Sequence, residues 1–146
     1  MADGAERVPA NAVLTPHPGE LARLMGKPVA EVQKRRLEVA GEAAARFGCT
    51  VVLKGAHSVI AAADGRTSLS PWANPLLATA GSGDVLAGII AGYLAQGAEP
   101  FEAACLGVYL HGAAGEVLRE DYGEAGLLAG EIAARLPRVV KDVAAP

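Results

Sequence analysis

Aromatic side chains make up only 4% of this 146-residue chain, and there are just two cysteines, Cys49 and Cys105. The cysteines stand far apart, in neither a CxxC pair nor a disulfide framework. No basic block is present. Thirteen Lys and Arg against sixteen Asp and Glu leave a net charge of −3, which argues against a non-specific nucleic-acid binder, because such proteins cluster cations against phosphates. The longest strongly apolar run, Val85 to Ala95, is too short to cross a bilayer. The opening residues, MADGAERVPA, lack the basic and apolar regions of a signal peptide. The expectation is a soluble cytoplasmic protein with no membrane or nucleic-acid partner.

What is abundant is small and apolar. The chain is 51% hydrophobic, with 18 glycines and 31 alanines. That excludes a largely disordered chain and suits one domain over residues 1–146. Small side chains let helices approach a sheet closely, yet each helix then buries little area, so stability must come from many contacts.

Val13-Leu14-Thr15 reads as a short strand ending at Pro16, and Glu20 to Met25 as one or two helical turns closed by Gly26. Pro28 to Phe47 reads as a single helix with Gly48 as its stop. Thr50 to Leu53 is a central strand candidate. Ser58 to Ala62 and Thr67 to Ser70 form a hairpin around Asp64-Gly65. An irregular stretch, Pro71 to Thr79, precedes a nonpolar helix from about Ser82 to Ala95. Two more helices, about Pro100–Arg119 and Ala125–Leu136, complete an α/β layered pattern. Three final helices with no strand between them imply that one sheet face lacks its cover.

The sharpest chemical signal is Ala80-Gly81-Ser82-Gly83-Asp84. A helix N-terminus exposes unpaired N–H groups and partial positive charge, and glycines let an anion reach the backbone, so the turn is a candidate phosphate cradle. Asp84, in the first turn, is placed to accept a proton from an attacking hydroxyl. On the turn alone, a packing role for the glycines and a dipole role for Asp84 stand level with this reading. Other glycine-rich templates fail: Leu86 occupies the sixth position of GxGxxG, Pro28 follows Gly26-Lys27 in place of the P-loop hydroxyl, and Ala80 and Asp84 replace the outer glycines of GxSxG.

Two further segments carry chemistry. In Thr15-Pro16-His17-Pro18-Gly19-Glu20, paired prolines stiffen a histidine at a strand end, where open α/β sheets place ligands; Glu20 reads as a helix cap. In Lys54-Gly55-Ala56-His57-Ser58, one of only four lysines follows the central strand, beside a glycine that permits close approach of a nucleotide. A solvated loop shoulder explains that segment equally well. Asn74 either fixes the following loop or makes an Asx turn, and His111 reads as packed within a helix. No HExxH or comparable metal spacing exists.

Taken together, Val13 to Leu24, Val51 to Gly55 and Asn74 to Ile90 resemble the ADP/ATP-dependent NAD(P)H-hydrate dehydratases, a family of the ribokinase-like superfamily. Leu110 to Gly115 and Gly123 to Ala129 fit the same family's C-terminal helices. The resemblance covers about residues 12 to 137 and implies a ribokinase-like layered αβα fold lacking its N-terminal half. It implies a metabolite-repair lyase that restores hydrated NADH or NADPH by phosphorylating the hydrate hydroxyl and eliminating phosphate. By match to the motifs, His17 and Asp84 would contact the hydrate, with Asp84 catalytic. Lys54, Gly55, Ala56, His57, Ser58 and Gly83 would line the nucleotide site, and Ala80, Gly81, Ser82 and Gly83 would form the anion hole. ADP or ATP is implied as co-substrate, Mg²⁺ as an ion without an assigned ligand, and a homo-oligomer as the assembly. The missing half would leave an uncovered sheet edge and a substrate pocket short of walls, so the chain reads as a C-terminal portion. Two alternatives stay open: a small-molecule kinase of the same superfamily, acting on a vitamin precursor or sugar, and a non-catalytic nucleotide-binding fragment.

Overall fold

Residues 8–145 are described by a computed structural model. Its four strands lie in chain order, β1 (Val13–Leu14), β2 (Thr50–Leu53), β3 (Val59–Ala61) and β4 (Thr67–Leu69). β1 pairs parallel to β2, with Leu14 opposite Val51, while β2–β3 and β3–β4 are antiparallel. The parallel pair needs a crossover connection, supplied here by α1 (Pro18–Met25), α2 (Val29–Lys34) and α3 (Arg36–Phe47). Because β1 and β2 run the same way, Thr15–His17 and Lys54 emerge side by side, and the Lys54 N–H donates to Pro16 O at 2.9 Å.

The period-two alternation of strands decides which helices go where. Val51, Leu53, Val59 and Ala61 face α1–α3, packing on Leu21, Val32, Val39, Ala40, Ala43 and Ala44. Val52 and Ile60 point the other way, onto Leu86 and Ile90 of α4 (Ser82–Ala95) and Ala103, Ala104 and Val108 of α5 (Pro100–Tyr122). Both faces of β2 and β3 are therefore covered, which corrects the expectation of a bare face. The last three helices do not trail off the sheet: α4 and α5 form its second layer, and α6 (Ala129–Ala144) packs on them through Ile132 and Val139. Among the described residues, the outer edge of β1 has no strand beside it.

The alanines and glycines of α5 explain how two helices fit against one small sheet. A Cβ on Gly107 would lie 2.5 Å from Ile90 Cγ1, so only glycine admits α4 at this distance.

Several boundaries differ from the sequence reading, three of them instructively. α1 begins at Pro18, not Glu20, because His17 serves as its N-cap. The single helix expected over Pro28–Phe47 breaks at Arg35 (φ −126°, ψ 48°) into α2 and α3. The final helix starts at Ala129 and runs through Pro137 instead of stopping at Leu136. An internal proline removes one helical hydrogen bond, but Ile132 and Val139, buried on one face either side of it, hold the helix against the core.

Candidate active site

At the ends of β1 and β2, beside the start of α4, lies a cavity of about 580 Å³. Three separated segments meet there: His17 and Pro18, then Lys54, Gly55, Ala56 and Ser58, then Ser82 and Gly83. The opposite wall is Ser70, Trp72–Pro75 and Leu77–Thr79, with Val108, His111 and Gly112 of α5 behind. Four sequence candidates lie outside this wall: His57, Ala80, Gly81 and Asp84. Asp84 is exposed, on a face of α4 that also presents Ala87, Gly88, Ala91 and Gly92 to solvent.

The turn into α4 depends on Gly81, whose φ of 83° is a left-handed conformation that L side chains rarely adopt. Ser82 N–H bonds Thr79 O at 3.2 Å and Asp84 N–H bonds Gly81 O at 3.1 Å, whereas the Gly81 and Gly83 amides have no partner among the described residues. Two free donors thus remain at the positive end of a 14-residue helix. Lys54 adds a charge at the same place, since a Cβ on Gly83 would come within 3.2 Å of Lys54 Nζ. Unpaired amides, helix dipole and ammonium all favour an anion at Gly83.

His17 and Glu20 cap α1 reciprocally. His17 Nδ1 accepts from the Gly19 and Glu20 amides at 3.1 and 3.2 Å, and a Glu20 carboxylate oxygen accepts from His17 N–H at 2.7 Å. Accepting at Nδ1 leaves the proton of a neutral imidazole on Nε2, which lies 3.4 Å from Glu20 Oε1 on a ring that stays more than half exposed. The His17 amide, chiefly, holds the Glu20 carboxyl below its ordinary value against the opposing effect of desolvation, with the nearby Lys54 charge adding to the lowering. With its folded-state value below the unfolded one, Glu20 contributes stability at neutral pH that is lost as pH falls through the folded-state value. Glu20→Gln is accordingly expected to lower the melting temperature near neutrality, with the gap to wild type closing on acidification; thermal melts across a pH series check this.

The loop after β2 is held by Arg36, which the sequence reading did not single out, and by His57 and Ser58, which it did. Arg36, at the start of α3, donates from Nη2 to Leu53 O and Lys54 O at 3.2 and 3.4 Å. The guanidinium is half-buried, and desolvation lowers its pKa. His57 turns away from the cavity at φ 51°; its N–H bonds Trp72 O at 2.9 Å, and its Nδ1 lies 3.0 Å from Ser70 O. The imidazole therefore fastens this loop to the opposite wall. Ser58 Oγ closes the loop by donating to Gly55 O at 3.1 Å.

Trp72 forms part of the far wall, with Nε1–H donating to Tyr109 O at 3.0 Å and its ring packed tightly on Gly112. A Cβ at Gly112 would stand 2.0 Å from Trp72 Cδ1. Gly112→Ala is thus expected to displace the indole and cost about 1–3 kcal/mol of stability. Emission from the only tryptophan reports the displacement, and urea denaturation the stability. Asn74 Oδ1 accepts from Leu76 N–H at 2.9 Å, the Asx turn that was one of its two expected roles, and its buried Nδ2 has no partner among the described residues.

No group of three or more His, Cys, Asp or Glu suited to a metal ion occurs among the described residues. No described helix is long and apolar enough to cross a membrane.

The family model for NAD(P)H-hydrate dehydratase matches residues 3–138. The chain belongs to the NAD(P)H-hydrate dehydratase family. It is 55% identical over 124 residues to the ADP-dependent (S)-NAD(P)H-hydrate dehydratase of Neisseria meningitidis, covering 84% of this chain and 42% of that protein. It is 50% identical over 131 residues to the bifunctional NAD(P)H-hydrate repair enzyme Nnr of Moorella thermoacetica, covering 90% of this chain and 25% of that enzyme. The crystal structure of the Bacillus subtilis ADP/ATP-dependent dehydratase, co-crystallised with ATP and Mg²⁺, superposes with a TM-score of 0.85 at 46% identity, over 89% of this chain and 47% of that one. The chain thus spans half or less of the length of these dehydratase relatives, and the fold is the ribokinase-like layered αβα expected of them.

Proposed function

We propose that this chain supplies the nucleotide side of an ADP- or ATP-dependent dehydration of (S)-NAD(P)H-hydrate. The observation that carries the reading is the meeting of His17, Lys54 and the Ser82–Gly83 turn on one cavity, in a chain of this family. Such chemistry asks for alignment and charge stabilisation more than covalent catalysis. Gly83 N–H and the α4 dipole would hold the transferring phosphoryl group, with Lys54 Nζ beside it and the Gly55–Ser58 loop against the nucleotide. Ala80 and Gly81 would complete the anion hole through the backbone.

Asp84 lies one residue beyond the cavity wall, on the exposed face of α4. The hydrate would approach from that face, near His17, and Asp84 would take the proton from its hydroxyl as oxygen attacks phosphorus. The nucleotide's phosphorus–oxygen bond breaks as the new one forms. The ring nitrogen's electron pair then expels inorganic phosphate, with loss of a ring proton, and the reduced nicotinamide is restored. Among the described residues no carboxylate cage for Mg²⁺ occurs, so an ion held here would be carried by the nucleotide's phosphates. These substrates suit a cytoplasmic enzyme, and the family's homo-oligomeric assembly is carried over with them.

The test is incubation of the chain with the hydrate and ADP or ATP, following return of the reduced-nicotinamide absorbance. Recovery that depends on nucleotide is the expected result. Nucleotide binding without recovery, which the chain's share of its relatives' length favours as the second reading, would make it a binding fragment. Accumulation of a phosphorylated vitamin alcohol or sugar instead would favour the kinase.

A further inference from the structure

His111 stands in the cavity wall at 8% exposure, inside α5, with no substrate-facing role in the account above. Its Nε2 lies 2.9 Å from Ser82 Oγ and 3.1 Å from Ser82 O. The carbonyl can only accept. An unprotonated Nε2 would set its lone pair against the carbonyl's, so Nε2 must carry the hydrogen. Burial pushes the imidazole pKa down, against the raising effect of the Ser82 carbonyl, and it is the contact with that carbonyl that selects the tautomer.

The consequence falls on Ser82. Facing a donor, the hydroxyl meets the imidazole as an acceptor, and its own hydrogen is left over. Ser82 is 4% exposed, and both it and Gly83 line the cavity. The geometry points to His111 as a positioning residue for the anion-binding turn: its Nε2–H grips both oxygens of Ser82 and leaves the serine O–H as a donor for a phosphoryl oxygen held at Gly83. This assignment rests on the nucleotide reading of the cavity. It makes the hydroxyl of Ser82, and not only the backbone of the turn, part of the phosphate contact. Protonation of Nδ1 at low pH would leave Nε2 a donor, so the arrangement does not depend on the ring's charge.

Two measurements on the full chain test it. In the first, ADP is titrated calorimetrically into wild type, His111→Phe, His111→Gln, Ser82→Ala and the Ser82→Ala/His111→Phe double variant. A lost hydrogen bond to a charged group corresponds to about tenfold or more in affinity. His111→Phe and Ser82→Ala should each show that loss, and the double variant should be no weaker than either, because both remove the same contact. His111→Gln, whose amide N–H can occupy the Nε2 position, should bind nearly as wild type even if His111→Phe fails to fold. In the second, nitrogen NMR of the imidazole should show protonation at Nε2 alone. Wild-type affinity in His111→Phe, or additive losses in the double variant, would overturn the proposal. Failure of the wild-type chain to bind ADP would instead overturn the nucleotide reading, and the imidazole spectrum would still decide the Ser82 contact: protonation at Nδ1 overturns it.

Discussion

Asp84→Asn is expected to lower nucleotide-driven recovery of NAD(P)H from its hydrate by roughly 10²–10⁴-fold, the usual contribution of a positioned general base, while ADP binding is unchanged. The separation follows from the geometry. Gly83 and Lys54 line the cavity, whereas Asp84 does not and is exposed on the adjoining face of α4. Asparagine preserves shape and helix but cannot accept the proton. The assay is steady-state turnover in an active dehydratase context, the full chain or this chain joined to a relative's N-terminal half, paired with calorimetric ADP binding. Equal losses in binding and turnover would place Asp84 in the anion hole instead, and unchanged turnover would remove it from the mechanism.

Ile60→Ala is expected to destabilise the chain by about 2–5 kcal/mol, the largest stability effect of any substitution considered. Ile60 is 1% exposed at the middle of β3, where it packs with Val52 on Leu86 and Ile90 of α4 and on Ala103, Ala104 and Val108 of α5. Its neighbours in α5 are two alanines and a valine, so no long side chain of that helix stands ready to swing into the space. The cavity should persist, and the upper part of the range is expected. Leu86 and Ile90 belong to the helix that carries the anion-binding turn, so the same change should loosen Gly83 and weaken ADP binding at temperatures well below the melt. Equilibrium urea denaturation gives the stability, and calorimetry of the variant at low temperature gives the coupling. A loss under about 1 kcal/mol would mean that the site repacks.

Much of this architecture was readable from residue patterns. The β-branched run at Thr50–Leu53, the Asp64-Gly65 hairpin and the start of α4 at Ser82 each rest on local chemistry, and the structure places them as the sequence indicates. Glu20 as a helix cap was likewise legible, because a carboxylate three residues after a cap is a local signature. What escaped depends on contacts between distant segments. No residue near Arg35 is a helix breaker, yet Arg36 opens a new helix with its guanidinium on the carbonyls at the end of β2. His111 reads as one polar residue on an apolar helix, and nothing local to it shows that Ser82 lies across the gap. The cover on the second sheet face was missed because α4 and α5 reach it without an intervening strand. Their small residues, Gly107 above all, give no amphipathic stripe for a pattern to detect. His57 shows the reverse case, a candidate that the structure places outside the cavity wall. Its sequence neighbours line the cavity, but its left-handed backbone turns it toward Ser70 and Trp72.

The central claim is that the amide end of α4 and the Lys54 loop hold a nucleotide's phosphates. ADP titrated into isotope-labelled chain, followed by amide NMR, tests it most directly. The account predicts that the Gly83, Ser82, Gly55 and Ala56 amides move together, with one saturation curve, ahead of every other signal. Saturable binding that leaves the Gly83 amide unmoved while shifting a different surface would contradict it.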